Sequence, residues 1–133
     1  MEYVSENHSK HLLMVHLIFV VKYRKNLLIK FGEEMKQILH DIANEKNLVI
    51  IEIETDKNHV HLLVQYKPTM SVLEIVRLLK QISTYRIWRS KNNAEELKKY
   101  FWKEQTFWSD GYFACSIGNV SKETIEKYIQ TQG

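Results

Sequence analysis

The chain has 133 residues, 44% of them hydrophobic and 26% charged, which is the balance of one globular domain with a single core. One proline and four glycines leave little room for linkers or low-complexity stretches, and no internal repeat is visible. The net charge is a mild +3, and the lone Cys115 excludes an internal disulfide and a multi-cysteine zinc site while fitting a reducing cytoplasm.

The first apolar run, Leu12 to Val21, contains His16 and is too short for a membrane helix of about 20 residues. It also lacks the charged start and cleavage site of a signal peptide, so export is not expected. His11 to Tyr23 is rich in β-branched residues and reads as a buried strand. Phe31, Met35, Ile38, Leu39 and Ile42 then recur at helical spacing among charged residues, which predicts an amphipathic helix. Leu48 to Thr55 reads as a second strand. The polar turn Asp56-Lys57-Asn58 leads straight into a third, His59 to Tyr66, most simply as a hairpin.

Pro68 ends that strand, and Ser71 with Glu74 three residues on is a capping-box start. The helix it opens is predicted to run to about Ser90, burying Val72, Ile75, Val76, Leu79 and Ile82. Arg77, Lys80, Thr84 and Lys91 would share its opposite side. An aromatic, loop-like segment follows from Tyr100 to Trp108. A short strand is predicted from Tyr112 to Ile117, and a last helix, capped by Ser121, over about 121–132. The order β-α-β-β-α-β-α implies an α+β fold, a ferredoxin-like split βαβ antiparallel sheet with packed helices and an added C-terminal helix, in one domain over 1–133.

Three groups of residues carry chemistry. His59 and His61 are two apart in a strand, so both imidazoles project from one face while Val60 enters the opposite layer. Such a pair suits one divalent ion, although an alternating His-Val-His strand is also ordinary half-buried sheet. His16 reads as a packed or supporting residue. Tyr128 and Gln132, four apart, lie one above the other on a helix face, with Ile125 and Ile129 on the neighbouring stripe; such a pair can equally be surface decoration. From Arg77 to Lys103, eight lysines and arginines face only Glu95 and Glu96. That block suits a polyanionic partner or a solvated helix face. Arg77, Lys80, Arg86 and Arg89 are the candidate contacts to a nucleic acid or other polyanion. Trp88, Trp102, Phe107 and Trp108 are candidates for base stacking or for core packing.

Together these residues resemble the single-tyrosine transposases of the HUH superfamily, which mobilise small prokaryotic insertion sequences as single-stranded DNA. The resemblance covers nearly the whole chain. It is carried by Val15 to Arg24 with its Lys-Tyr-Arg end, by Thr55-Asp56-Lys57-Asn58-His59-Val60-His61-Leu62-Leu63, by Phe107 to Phe113 with Ser116-Ile117-Gly118, and by Glu126 to Gln132. The resemblance implies that Tyr128 is the nucleophile, that His59, His61 and Gln132 are metal ligands, and that the ion is Mg²⁺ or Mn²⁺. It further implies a homodimer that can share active sites through a hinge near Gly118, and DNA hairpins at element ends as substrate. A domesticated tyrosine nuclease acting on repeated chromosomal hairpins shares this chemistry. A non-catalytic single-strand nucleic-acid-binding module is the alternative of another class, and it usually carries sheet aromatics where this chain carries histidines.

Overall fold

The computed structural model describes residues 13–116, 127 and 129–131. The chain runs through β1 (Leu13–Val20), a 3₁₀ turn (Lys22–Arg24), α1 (Leu28–Glu45), β2 (Val49–Thr55) and β3 (His59–Tyr66). It continues into α2 (Val72–Trp88), α3 (Lys91–Leu97) and β4 (Phe113–Ser116). The four strands form one sheet in the order β2-β3-β1-β4, with every neighbouring pair antiparallel. This is the ferredoxin-like order, with both helix connections crossing one face. Gly118, Tyr128 and Gln132 lie outside the described residues, as does most of the predicted final helix; residues 127 and 129–131 are helical.

Strand alternation divides the sheet into two faces. Val15, Leu17, Phe19, Val60, Leu62 and Val64 point into a core shared with Phe31, Met35, Leu39 and Ile42 of α1 and Ile75, Val76 and Leu79 of α2. Burying each large aliphatic or aromatic side chain there contributes about 1.5–3 kcal/mol. On β3 the residues between them, His59, His61, Leu63 and Gln65, take the other face. In β1 that face carries His16 opposite Leu63 and Ile18 opposite His61.

Local sequence explains where the helices stop and start. After α1, Asn47 adopts a left-handed φ of 59°, and the Leu48 amide bonds back to the Ala43 carbonyl at 2.9 Å, a Schellman-type closure. At α2 the predicted capping box is formed: Ser71 Oγ accepts from the Glu74 amide and the Glu74 carboxylate accepts from the Ser71 amide, each at 3.1 Å.

The strand predicted from His11 to Tyr23 ends earlier, at Val20. Tyr23 and Arg24 have positive φ of 60° and 52°, a conformation that strand pairing cannot continue. Of the residues predicted to be buried along α2, Ile75, Val76 and Leu79 are, whereas Val72 and Ile82 are partly exposed. The helix stops at Trp88, and α3, capped by Ser90 Oγ, follows where no separate helix is expected from the sequence.

Replacing Ser71 with alanine removes one half of the capping box. The expected result is a loss of about 1 kcal/mol in unfolding free energy, read as a lower denaturant midpoint at unchanged slope.

Candidate active site

The hairpin between β2 and β3 is held from three sides. The Asp56 amide bonds to the His59 carbonyl at 2.9 Å, the Val21 amide to the Asn58 carbonyl at 2.8 Å, and the Leu28 amide to the Lys57 carbonyl at 3.0 Å. The turn is thus tied to the end of β1 and to the first residue of α1, and His59 leaves it in a fixed orientation.

His59 and His61 stand side by side on the sheet face away from the helices. Their ring centroids are 4.9 Å apart and their planes cross at 64°. His59 is 9% exposed, and its Nδ1 lies 2.9 Å from Asn58 Oδ1. An amide oxygen can only accept, so His59 donates from Nδ1 and keeps its lone pair on Nε2. His61 is half-buried. It lies opposite Glu54 on β2 and Ile18 on β1, with His16 diagonal to it on the same face.

Burial pushes the pKa of both imidazoles down. For His61 the neighbouring His59 and His16 push further in the same direction, and Glu54 and Asp56 pull back. Asp56 alone opposes the shift at His59. Both rings are therefore neutral at neutral pH, the form that binds a metal ion. Two adjacent neutral imidazoles, one fixed in tautomer by a neighbouring amide, fit a shared divalent cation.

The predicted DNA contacts lie on α2 or, for Arg89, at its C-cap, but differ in what holds them. Arg77 and Arg89 are exposed, with the Arg89 guanidinium 5.9 Å from the centre of the Tyr85 ring. Arg86 makes a two-pronged pair with the Glu45 carboxylate at 2.7 and 2.9 Å, which lowers the Glu45 pKa and raises its own. Lys80, predicted to share the outer face of α2, instead turns inward. Its Nζ donates to the carbonyls of Ser109, Asp110 and Gly111 at 2.6, 3.2 and 2.9 Å. Burial lowers its pKa, and Asp110 opposes the shift.

A groove of about 660 Å³ runs between α2 and residues 105–112, lined by Arg77, Lys80, Tyr85, Asp110 and Tyr112 among others. Neither this groove nor the concavity lined by Lys22, Tyr23 and Trp102 includes the histidines. The four aromatic candidates for stacking also separate. Trp88, Phe107 and Trp108 are buried, with the Trp88 indole donating to the Thr106 carbonyl and that of Trp108 to Ser83 Oγ. Trp102 is 76% exposed.

Asn58 and the inward role of Lys80 were not singled out from the sequence. An Asn at the turn position directly before a metal-type histidine was the available signal for the first. Nothing in helical periodicity distinguishes a lysine that reaches solvent from one that reaches three carbonyls.

An antiparallel ferredoxin-like sheet with a histidine pair on the face away from α1 and α2 defines a class of small α+β proteins. Within it, residues 9–132 match the family described as "Transposase IS200 like", and the chain belongs to that family. It is 32% identical over 121 residues to the ISDra2 transposase TnpA of Deinococcus radiodurans, covering 90% of this chain and 84% of that protein. It is 29% identical over 129 residues to the transposase for insertion sequence element IS200 of Salmonella typhimurium, covering 94% and 80%.

A crystal structure of a protein from Deinococcus radiodurans assigned as a transposase superposes with a TM-score of 0.84 at 27% identity, over 97% of both chains. A REP-associated tyrosine transposase bound to a REP hairpin shares the fold, with a TM-score of 0.56 at 12% identity over 97% of this chain and 68% of that one. The chain therefore has a transposase role, in a family of enzymes that cut and rejoin DNA. No helix among the described residues is long and apolar enough to cross a membrane.

Replacing Lys80 with methionine leaves the carbonyls of Ser109 to Gly111 without their shared donor. The expected loss is about 1–3 kcal/mol in unfolding free energy, measured by denaturant titration. Unchanged stability would show that the ammonium does not hold this segment.

Proposed function

We propose that this protein is a metal-dependent single-stranded DNA transposase that cleaves and rejoins strands at insertion-sequence ends through a 5′-phosphotyrosine intermediate on Tyr128. The observation that carries the reading is the pair of adjacent, neutral imidazoles on the sheet face away from α1 and α2, in a chain belonging to a transposase family. His59 and His61 are ligands for Mg²⁺ or Mn²⁺, and Gln132 is the third. Bound there, the ion supplies charge neutralisation at the scissile phosphate.

The chain's own groups do the rest. Asn58 fixes the His59 tautomer so that Nε2 keeps the lone pair a ligand bond needs. Two imidazoles and an amide bring no negative charge, so the ligand set does not offset the cation's charge on the phosphodiester. The Tyr128 oxygen attacks phosphorus, forming the tyrosine–phosphate bond and breaking the bond to the 3′ oxygen, which leaves as a hydroxyl. Because a phosphodiester is exchanged for a phosphodiester, attack by another 3′ hydroxyl reverses the step and joins strands without ATP. A free phenol, with a pKa of about 10, is a poor nucleophile at neutral pH, so alignment of Tyr128 is part of catalysis.

DNA hairpins at the element ends are the substrate, as one neighbour of the same fold was captured with a hairpin. Arg77 and Arg89 contact the backbone directly. Lys80 and Arg86 act from the same helix through the groove wall and the Glu45 pair they maintain. The working form is a homodimer in which active sites can be shared, in the cytoplasm, where Cys115 stays reduced. A domesticated nuclease acting on chromosomal repeats is less well supported: the relatives sharing about 30% of residues are insertion-sequence transposases, and the repeat-associated neighbour shares only the fold.

Tyr128→Phe is expected to abolish the covalent protein–DNA adduct on a denaturing gel while leaving hairpin affinity within about two-fold. An adduct that persists in this variant removes Tyr128 from the mechanism. His59→Ala or His61→Ala, like chelation of the wild type, should eliminate Mg²⁺- or Mn²⁺-dependent cleavage. Asn58→Ala should weaken metal affinity by about 10–100-fold, read by titrating Mn²⁺.

A further inference from the structure

We propose that the concavity between the 3₁₀ turn after β1 and residues 100–106 is a subsite for one unpaired nucleotide of the DNA strand, whose base stacks on Trp102. The inference rests on the reading of the protein as a single-strand DNA enzyme and adds to it a recognition element apart from the histidine face. The concavity measures about 420 Å³, within the range of about 300–1,000 Å³ that accepts one small ligand. Lys22, Tyr23, Tyr100, Phe101, Trp102 and Lys103 are among its lining residues. A paired duplex is too large for it, whereas a single base is not.

Three observations point to a stacking ligand. Trp102 leaves 76% of its surface in solvent, whereas the other two tryptophans are each only 4% exposed. Tyr23, 59% exposed, is held at φ 60° and ψ 19° with Arg24 also left-handed, an unfavourable backbone for a bulky residue. That geometry is enforced by bonds on both sides. The Val21 and Lys22 amides bond to the Asn58 and Phe107 carbonyls, the Arg24 amide to the Val21 carbonyl, and Arg24 Nη1 to the Gln130 carbonyl at 2.8 Å. Without the reversal the strand would continue, and the Tyr23 ring would follow sheet alternation. With it, the ring stands at the surface, its centroid 6.4 Å from that of buried Phe101.

The charges fit a nucleotide. Lys22-Tyr23-Arg24-Lys25 brings three cations into four residues, and Lys103 follows Trp102. Lys22 Nζ lies 5.8 Å from the Tyr23 ring centre and only loosely, at 3.9 Å, from Glu104 and Asp110, whose side chains are 70% and 99% exposed against 20% for that of Lys22. Ion pairs that long and that solvated yield readily to a phosphate. Every base has a π-face, so a stacking platform with cations at its edge holds an unpaired nucleotide without demanding a particular one.

Because Trp102 is the one tryptophan at the surface, the part of the emission change that is absent in Trp102→Phe reports its occupancy. The test titrates wild-type protein with a hairpin carrying a single-stranded flank, the same hairpin made blunt, and a free mononucleotide, while adduct formation by Tyr128 is followed in parallel. The flanked hairpin is expected to quench Trp102, and the blunt hairpin and the mononucleotide to leave it unchanged at the same concentration. Trp102→Ala should weaken flanked-hairpin binding by about 5–100-fold. Trp102→Phe should retain most of the affinity, and Tyr23→Ala should weaken binding to a lesser degree.

Equal quenching by the mononucleotide supports a site for a single nucleotide, whereas equal quenching by the blunt hairpin overturns the subsite. So does a Trp102 that is already shielded in DNA-free protein in proportion to protein concentration, which would mark a contact between copies. Adduct formation with no quenching and unchanged affinity in Trp102→Ala sinks this inference and leaves the proposed function standing. Quenching and affinity loss without any adduct support the subsite and count against the catalytic reading. Absence of single-strand binding defeats both.

Discussion

The two-residue alternation of β3, locked in register against β1, is the constraint on which the rest of the structure depends. Val60, Leu62 and Val64 enter the core and lie opposite Phe19, Leu17 and Val15. Those same pairings force His59 and His61 onto the other face. A slip of one residue would carry both imidazoles into the helix-packed layer and three aliphatic side chains out of it. The hydrophobic core therefore specifies the candidate site: the free energy that fixes the register is apolar burial, and the orientation of the histidines follows from it. The bonds from the hairpin turn to Val21 and Leu28 secure the end of β3 where the histidines begin.

Charge on this protein is divided between structural and exposed uses. Arg86 is closed onto Glu45, Lys80 onto three carbonyls, and Lys99 onto Glu96. Arg77, Arg89, Lys91, Lys98 and Lys103 remain on the surface. Lys80, together with the Ser83 and Trp88 bonds to residues 106–108, fastens the segment that leads into β4 against α2. That segment in turn reaches back to β1, since the Ser109 amide bonds to the Val20 carbonyl and the Lys22 amide to the Phe107 carbonyl. The strained turn at Tyr23 thus stands on a frame that α2 maintains through Ser83, Trp88 and Lys80, the last of which reads in the sequence simply as basic surface.

Much of the fold was legible because its signals are strong and local. The bounds of β3 agree with the alternation of His59 to Tyr66, the capping box at Ser71 and Glu74 is formed as its spacing suggests, and the apolar stripe of Phe31, Met35, Leu39 and Ile42 is the buried face of α1. Three features were not. The seven-residue α3 buries only Leu97, so it has no periodicity to read; its signal was the Ser90 cap alone. The end of β1 is set by left-handed Tyr23 and Arg24, neither of which is a residue type that announces such a backbone. Lys80 could be placed on a face by helical spacing, but the partner that turns its ammonium inward lies about 30 residues away. In the candidate site the pairing of His59 and His61 followed from strand period, while the amide of Asn58 that orients one of them depends on the conformation of the turn.

These differences sort the proposed machinery by environment. A metal-binding imidazole must be neutral, and partial burial secures that at the cost of flexibility, so the histidines belong on a central strand where the sheet fixes them. A contact to a DNA backbone requires a hydrated cation that can exchange partners, so Arg77 and Arg89 belong at the solvent edge, where the interaction is screened within about 8–10 Å at ordinary ionic strength. Stacking is intermediate: it needs an exposed aromatic face and tolerates salt, because its attraction comes from apolar contact and dispersion. A protein that combines the three can discriminate by form of DNA. In the proposed division of labour the cations attract any strand, an exposed indole retains only bases that are unpaired, and the histidine pair serves the chemistry on what is left in place.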